Sequence, residues 1–120
     1  MTTDVPMSNV TAFIRKHAAK GPGSWDEPVL RRWLTRRNEL GELRLVCDGE
    51  QVTAIAAATE QPDRSVHVDL LIAHQWMWHG MLRYLMTRWP DWRARRFTAV
   101  RHGRQRQYPL QRLIQRLQIA

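Results

Sequence analysis

Apolar residues first recur at helical spacing. Met7, Val10, Ile14 and His17 fall on one side of a helix that Ser8 is placed to cap and that Gly21-Pro22-Gly23 stops. Ser24 or Asp26 can cap a second helix, with Pro28 tolerated in its first turn and Val29, Leu30, Trp33 and Leu34 as its apolar stripe before Gly41. Arg31, Arg32, Arg36 and Arg37 read as the solvated side of that helix. The period then changes. Leu43 to Cys47 and Val52 to Ala58 are β-prone runs around Asp48-Gly49, which predicts a hairpin. Val66, Val68, Leu70 and Ile72 alternate with His67, Asp69, Leu71 and Ala73, which predicts a strand with one apolar face. Trp78 to Trp89 returns to helical spacing, with Met81, Leu82, Leu85, Met86 and Trp89 inward and Pro90 as the stop. Phe97 to Arg101 reads as a further strand. Leu110, Leu113, Ile114 and Leu117 read as a short last helix behind Pro109.

The order α-α-β-β-β-α-β-α predicts an α/β fold, with a mixed, mainly antiparallel sheet and flanking helices. At 120 residues, with neither repeat nor linker, it is expected to be a single domain spanning residues 1–120. No stretch approaches the roughly 18 apolar residues of a membrane span, and the first residues lack signal-peptide character. Cys47 is the only cysteine, which excludes an intrachain disulfide and a cysteine-based metal cluster. A cytoplasmic protein is the expectation, and a buried structural thiol is the reading of Cys47.

Charge changes the picture because it is uneven. Residues 1–73 carry 9 Lys and Arg against 10 Asp and Glu, whereas residues 74–120 carry 10 Arg against the single acid Asp91. Arginine forks suit phosphate and carboxylate, so the second part of the chain points to a polyanionic ligand. Arg101, Arg104 and Arg106 lie in a segment of cations, amides and Tyr108 that suits such a ligand. Arg93, Arg95, Arg96, Arg112 and Arg116 lie near it in sequence. The partner can be a nucleic acid or the phosphates of a cofactor; charge alone does not separate them. Six tryptophans are present, with Trp76, Trp78, Trp89 and Trp92 gathered around the central helix. Trp89 continues the inward stripe and belongs to the core. Trp76 and Trp78 stay open between stacking on a base and plugging a pocket.

The segment from Ala73 to Gly80 joins the best strand to the central helix, where backbone amides can receive phosphate. At this point the element order resembles the GNAT family of N-acetyltransferases, shortened and without the usual first strand. In that family the junction reads Gln or Arg, two residues, Gly, one residue, then Gly or Ala. Gln75 and Gly80 match the outer positions, and Trp78 stands where the inner Gly falls. The resemblance implies an acyl-CoA-binding protein that takes acetyl-CoA or another acyl-CoA, with N-acyl transfer as its reaction. It implies Gln75, Trp78 and Gly80 at the pyrophosphate. It further implies Tyr108 as the acid that protonates the departing thiolate. His67 and Asp69 project to the same side of their strand and are candidate bases, directly or through water.

The rival reading is a non-enzymatic, Arg-rich nucleic-acid-binding or structural protein, part of a viral or nucleoprotein assembly. A protein partner or a homo-oligomer is compatible with either. No metal is expected, because His74 and His79 are five apart and do not share a helical face. No Walker loop, dinucleotide fingerprint or serine-nucleophile motif occurs.

Overall fold

The second strand carries Ala54, Ile55, Ala56, Ala57 and Ala58, all fully buried, and a strand of small residues with no solvent face belongs between two layers of helices. A computed structural model, which describes residues 5–18, 21–73, 78–101 and 104–108, has this arrangement. Its elements are α1 (Met7–His17), α2 (Glu27–Glu39), β1 (Leu43–Asp48), β2 (Gln51–Glu60), β3 (Val66–Ile72), α3 (Trp78–Arg88), β4 (Phe97–Arg101) and β5 (Arg104–Tyr108). The strands form one five-stranded sheet in the order β1-β2-β3-β4-β5. All neighbours are antiparallel except β3 and β4, which run parallel and are joined through α3. The expected mixed, mainly antiparallel α/β fold is therefore present. One element was not expected: residues 104–108, read from sequence as part of a segment suited to a polyanion, form β5, which pairs back on β4. The helix expected over 110–117 lies outside the described residues.

Each face of the sheet has its own core. Val10 and Ile14 of α1 and Leu30 and Leu34 of α2 pack on Leu45, Ile55, Ala57 and Leu70. On the opposite face Leu82 and Leu85 of α3, with Trp89 just after it and Trp92, pack on Ala58, Val66, Val68 and Phe97. The small side chains of β2 let both layers approach closely.

Only the first cap differs in position from expectation. Pro6 occupies the N-cap of α1 and Ser8 lies inside the first turn; Asp26 holds the N-cap of α2 without a side-chain hydrogen bond. His17 is exposed rather than part of the apolar side of α1. The end of α2 follows a stricter rule. Gly41 has φ +70, its N–H bonds the Asn38 carbonyl at 3.1 Å, and the Glu42 N–H bonds the Arg37 carbonyl at 2.8 Å. This is a Schellman motif, in which the residue after the glycine comes back against the residue one turn earlier. Here the two that meet are Glu42 and Arg37.

β3 corrects the expectation of one apolar face. Ala57 pairs with Leu70 and Ala58 pairs with Val68, so Asp69 is an extra residue, a β-bulge. Side chains alternate along a strand, and one extra residue exchanges the faces. Val66 and Val68 accordingly pack with α3, whereas Leu70 and Ile72 pack with α1 and α2.

Candidate functional site

The bulge sets the polar centre of the molecule. His67 lies opposite Thr59 on β2 and Thr98 on β4, and Asp69 turns to the same α1/α2 side of the sheet. Arg37 reaches the same place from α2, beside Glu42. A connected chain results. Arg37 Nη1 lies 3.1 Å from Glu42 Oε1 and donates to Thr59 Oγ1 at 3.0 Å. Thr59 Oγ1 donates to Asp69 Oδ2 at 2.9 Å. Asp69 Oδ1 lies 3.5 Å from His67 Nε2, and His67 Nδ1 lies 2.7 Å from Thr98 Oγ1. The backbone N–H of Glu60 donates to Glu42 Oε2 at 3.1 Å.

The donor directions are mutually consistent when the imidazole carries a proton on Nε2. In that tautomer both Thr59 and His67 direct donors at the Asp69 carboxylate, and Thr98 donates to His67 Nδ1. The side chains of Arg37, Glu42, His67 and Asp69 are 12%, 5%, 19% and 15% exposed. Low exposure strengthens each bond and raises the cost of breaking any one.

Burial pushes the Asp69 carboxyl above its ordinary value, while the Thr59 hydrogen bond and the charges of His67 and Arg37 pull it back. Between the unfolded value and the raised folded value, folding takes up a proton, so this group's contribution to stability falls as pH rises through that window. Asp69→Asn removes the buried charge. It also keeps an acceptor for Thr59, and its amide can donate to His67 if the imidazole proton moves to Nδ1. The variant is therefore expected to match or exceed the parent in thermal stability at neutral pH, with the advantage shrinking on acidification. A marked loss at neutral pH would show that the network favours the carboxylate more than burial penalises it.

A second feature lies at the carboxyl ends of the parallel strands. β3 and β4 pair at Val66 with Phe97, His67 with Thr98 and Val68 with Ala99. Among the described residues their ladder stops there, short of Ile72 and Arg101. α3 begins at this end with Trp78. Gly80, in its first turn, is exposed, and a Cβ built on it meets no atom within 4 Å. The β4–β5 hairpin places the backbones of Arg101 and Arg104 opposite one another at the same end, and Arg106 opposite Ala99.

Of the residues singled out from sequence, His67 and Asp69 thus meet at mid-sheet, and Trp78, Gly80, Arg101 and Arg104 gather at one end of it. Tyr108 pairs with Phe97 at the amino end of β4, about 13 Å along the strand from Arg101 at the usual rise. Gln75 lies outside the described residues.

Sequence reasoning passed over Arg37, Glu42, Thr59 and Thr98. Arg37 had a signal: it follows Leu30 by seven residues and Leu34 by three, and so continues the buried stripe of α2 instead of the solvated side. Two further groups are structural. Burial pushes the Tyr84 phenol up to about 12, and its Oη donates to the Gly41 carbonyl at 2.6 Å, tying α3 to the end of α2. Burial raises the Cys47 thiol above its ordinary value, although the side chain is half-buried and not fully buried as expected. Among the described residues no three His, Cys, Asp or Glu side chains gather to hold a metal ion, and no helix is long and apolar enough to cross a membrane. Compared with known proteins, the chain matches no family model, no curated protein and no solved structure.

Proposed function

We propose that the chain is a GNAT-like acyl-CoA-binding protein, with the cofactor entering between the carboxyl ends of β3 and β4 and its phosphates meeting the start of α3. The observation that carries this reading is the early end of the parallel ladder at Val68 and Ala99, on the side of the sheet where α3 begins. In open α/β sheets, ligands lie beyond the carboxyl ends of parallel strands, and helix N-termini favour anions. The open space over Gly80 and the backbone positions of Arg101 and Arg104 agree with a phosphate ligand there.

In N-acyl transfer the amine nitrogen attacks the thioester carbonyl, the C–S bond breaks, and the amine proton leaves to a base. The paired His67 and Asp69 supply that base in this reading, with Thr59, itself bonded by Arg37, donating to the carboxylate. Protonation of the thiolate by Tyr108 rests on the family resemblance alone.

The test is calorimetric titration with acetyl-CoA at low and high salt, with Gly80→Leu beside the parent and a nucleic-acid oligomer in parallel. Leucine is a good helix former and meets no obstacle at its Cβ, so the variant is expected to be at least as thermally stable. Its bulk over the first turn of α3 should weaken acetyl-CoA binding by about tenfold or more. Absent CoA binding, or equal affinity in the variant, would sink the proposal. Oligomer binding that weakens steeply with salt would put the Arg-rich nucleic-acid reading in its place.

A further inference from the structure

β1 is the outer strand of the sheet at its β2 end, and among the described residues nothing pairs with its open edge. Such an edge exposes unpaired N–H and C=O groups, and proteins usually protect it by bulges, proline or inward charges. β1 has none of these: the irregularity in its pairing with β2 falls on Thr53, leaving Leu43–Asp48 a regular run of six residues.

Its side chains carry a further pattern. Arg44, Val46 and Asp48 alternate along one face; Arg44 and Asp48 are exposed, and neither forms an ion pair among the described residues. The sequence is self-complementary under a two-fold axis through Val46. An antiparallel copy in that register sets Val46 against Val46, Arg44 against the second copy's Asp48, and Asp48 against its Arg44. Opposite charges directly across a strand pair are favourable. On the other face a groove of about 250 Å³ lies against the same edge, lined by Val5, Met7, Val10, Leu34, Leu43 and Leu45 among others. The two-fold brings both grooves to the junction, which adds apolar area that a six-residue strand pair lacks by itself.

We infer that two copies of this chain associate through β1, edge to edge and antiparallel about Val46, to form one continuous ten-stranded sheet. The contact is isologous, so it closes as a dimer and does not propagate. It makes no use of the proposed CoA crevice, which lies between β3 and β4 toward the other side of the sheet, and the two proposals stand or fall separately.

The test is sedimentation equilibrium of the full chain at physiological ionic strength, from low micromolar to near-millimolar concentration, with circular dichroism confirming the fold of each variant. The parent should dimerise. Arg44→Glu and Asp48→Arg each replace both ion pairs with like-charge pairs, and each should weaken dimerisation by about tenfold or more. The double variant carrying both changes restores opposite charges and should recover the dimer. A parent that stays monomeric throughout, or a dimer indifferent to the single reversals, would overturn the inference. Hydrogen exchange gives a readout that needs no variant: amides within Leu43–Asp48 should gain protection as concentration rises. Protection there that is independent of concentration would equally count against it.

Discussion

Replacing Arg37 with Ala should lower folding stability by about 3 kcal/mol, a large share of the roughly 5–15 kcal/mol that holds a domain of this size folded. The reason lies in what the change leaves behind. Glu42 is 5% exposed, and Arg37 Nη1 lies 3.1 Å from its Oε1. Without the guanidinium, the carboxylate keeps only the Glu60 N–H at 3.1 Å and stays buried with its charge uncompensated. Thr59 loses the donor that holds its hydroxyl toward Asp69, so the damage extends to the centre of the polar chain. Part of the expected loss is offset, because Arg37 is itself imperfectly satisfied. Its Nε is buried with no hydrogen-bond partner among the described residues, and such a group costs about 1–3 kcal/mol. The double variant Arg37→Met with Glu42→Gln separates the two contributions. It removes both charges, fills the guanidinium stem with apolar atoms and keeps an oxygen for the Glu60 N–H, so it should recover most of the stability lost by Arg37→Ala. Urea denaturation of the three proteins decides the matter. A single-variant loss below about 1 kcal/mol would mean that the pair behaves like a solvent-screened surface bridge.

Arg37 also shows why part of the site was hidden in the sequence. A long charged side chain on a helix can be read from spacing as solvated or as buried, and only its partner resolves the choice. That partner, Glu42, is brought back by the glycine-dependent end of α2. The bulge at Asp69 was hidden for a different reason. Leu70, Leu71 and Ile72 are all apolar, so the alternation past the bulge looks the same in either register. β5 was missed because Arg-Gln-Arg-Gln-Tyr has no apolar alternation: it lies at the far end of the strand order, paired to β4 by backbone hydrogen bonds that composition does not report. Where turn residues bounded a β-prone run, or a helical stripe faced inward, the pattern was legible. The β1–β2 hairpin around Asp48-Gly49, the inward stripe of α3 and the span of β4 all appear as expected. Within the candidate site, the His67 and Asp69 pairing was legible from their two-residue spacing. The threonines beside them were not, since register across strands that are distant in sequence is a tertiary property.

Trp89→Ala is expected to cost about 3–5 kcal/mol and to lower Tm by about 10 °C or more. Trp89 is 1% exposed and stands where α3 meets the sheet, packed with Val66, Val68, Leu82, Leu85, Trp92 and Phe97. Its ring meets Phe97 edge to face, with centroids 6.2 Å apart and an interplanar angle of 83°. Its Nε1 donates to Glu60 Oε1 at 2.8 Å, and the Arg88 guanidinium lies 4.8 Å from its ring centroid. Truncation removes the largest fully buried side chain of this core and leaves a void that its neighbours, fixed on a helix and three strands, cannot close. Trp89→Phe is the informative companion. It keeps most of the apolar volume and loses the indole N–H, so it should cost only about 1–2 kcal/mol. The order of the two variants tests the assignment of Trp89 to packing. If Trp89→Phe were as damaging as Trp89→Ala, the Glu60 hydrogen bond would be the dominant contribution, and Glu60→Ala, which removes the acceptor, should then reproduce much of the loss. If both variants melted with the parent, the α3 side of the sheet would have to be loosely packed, with its stability residing in the α1/α2 layer. Thermal unfolding followed by near-ultraviolet circular dichroism distinguishes these cases, because loss of fixed aromatic packing is visible there even when helix content is retained.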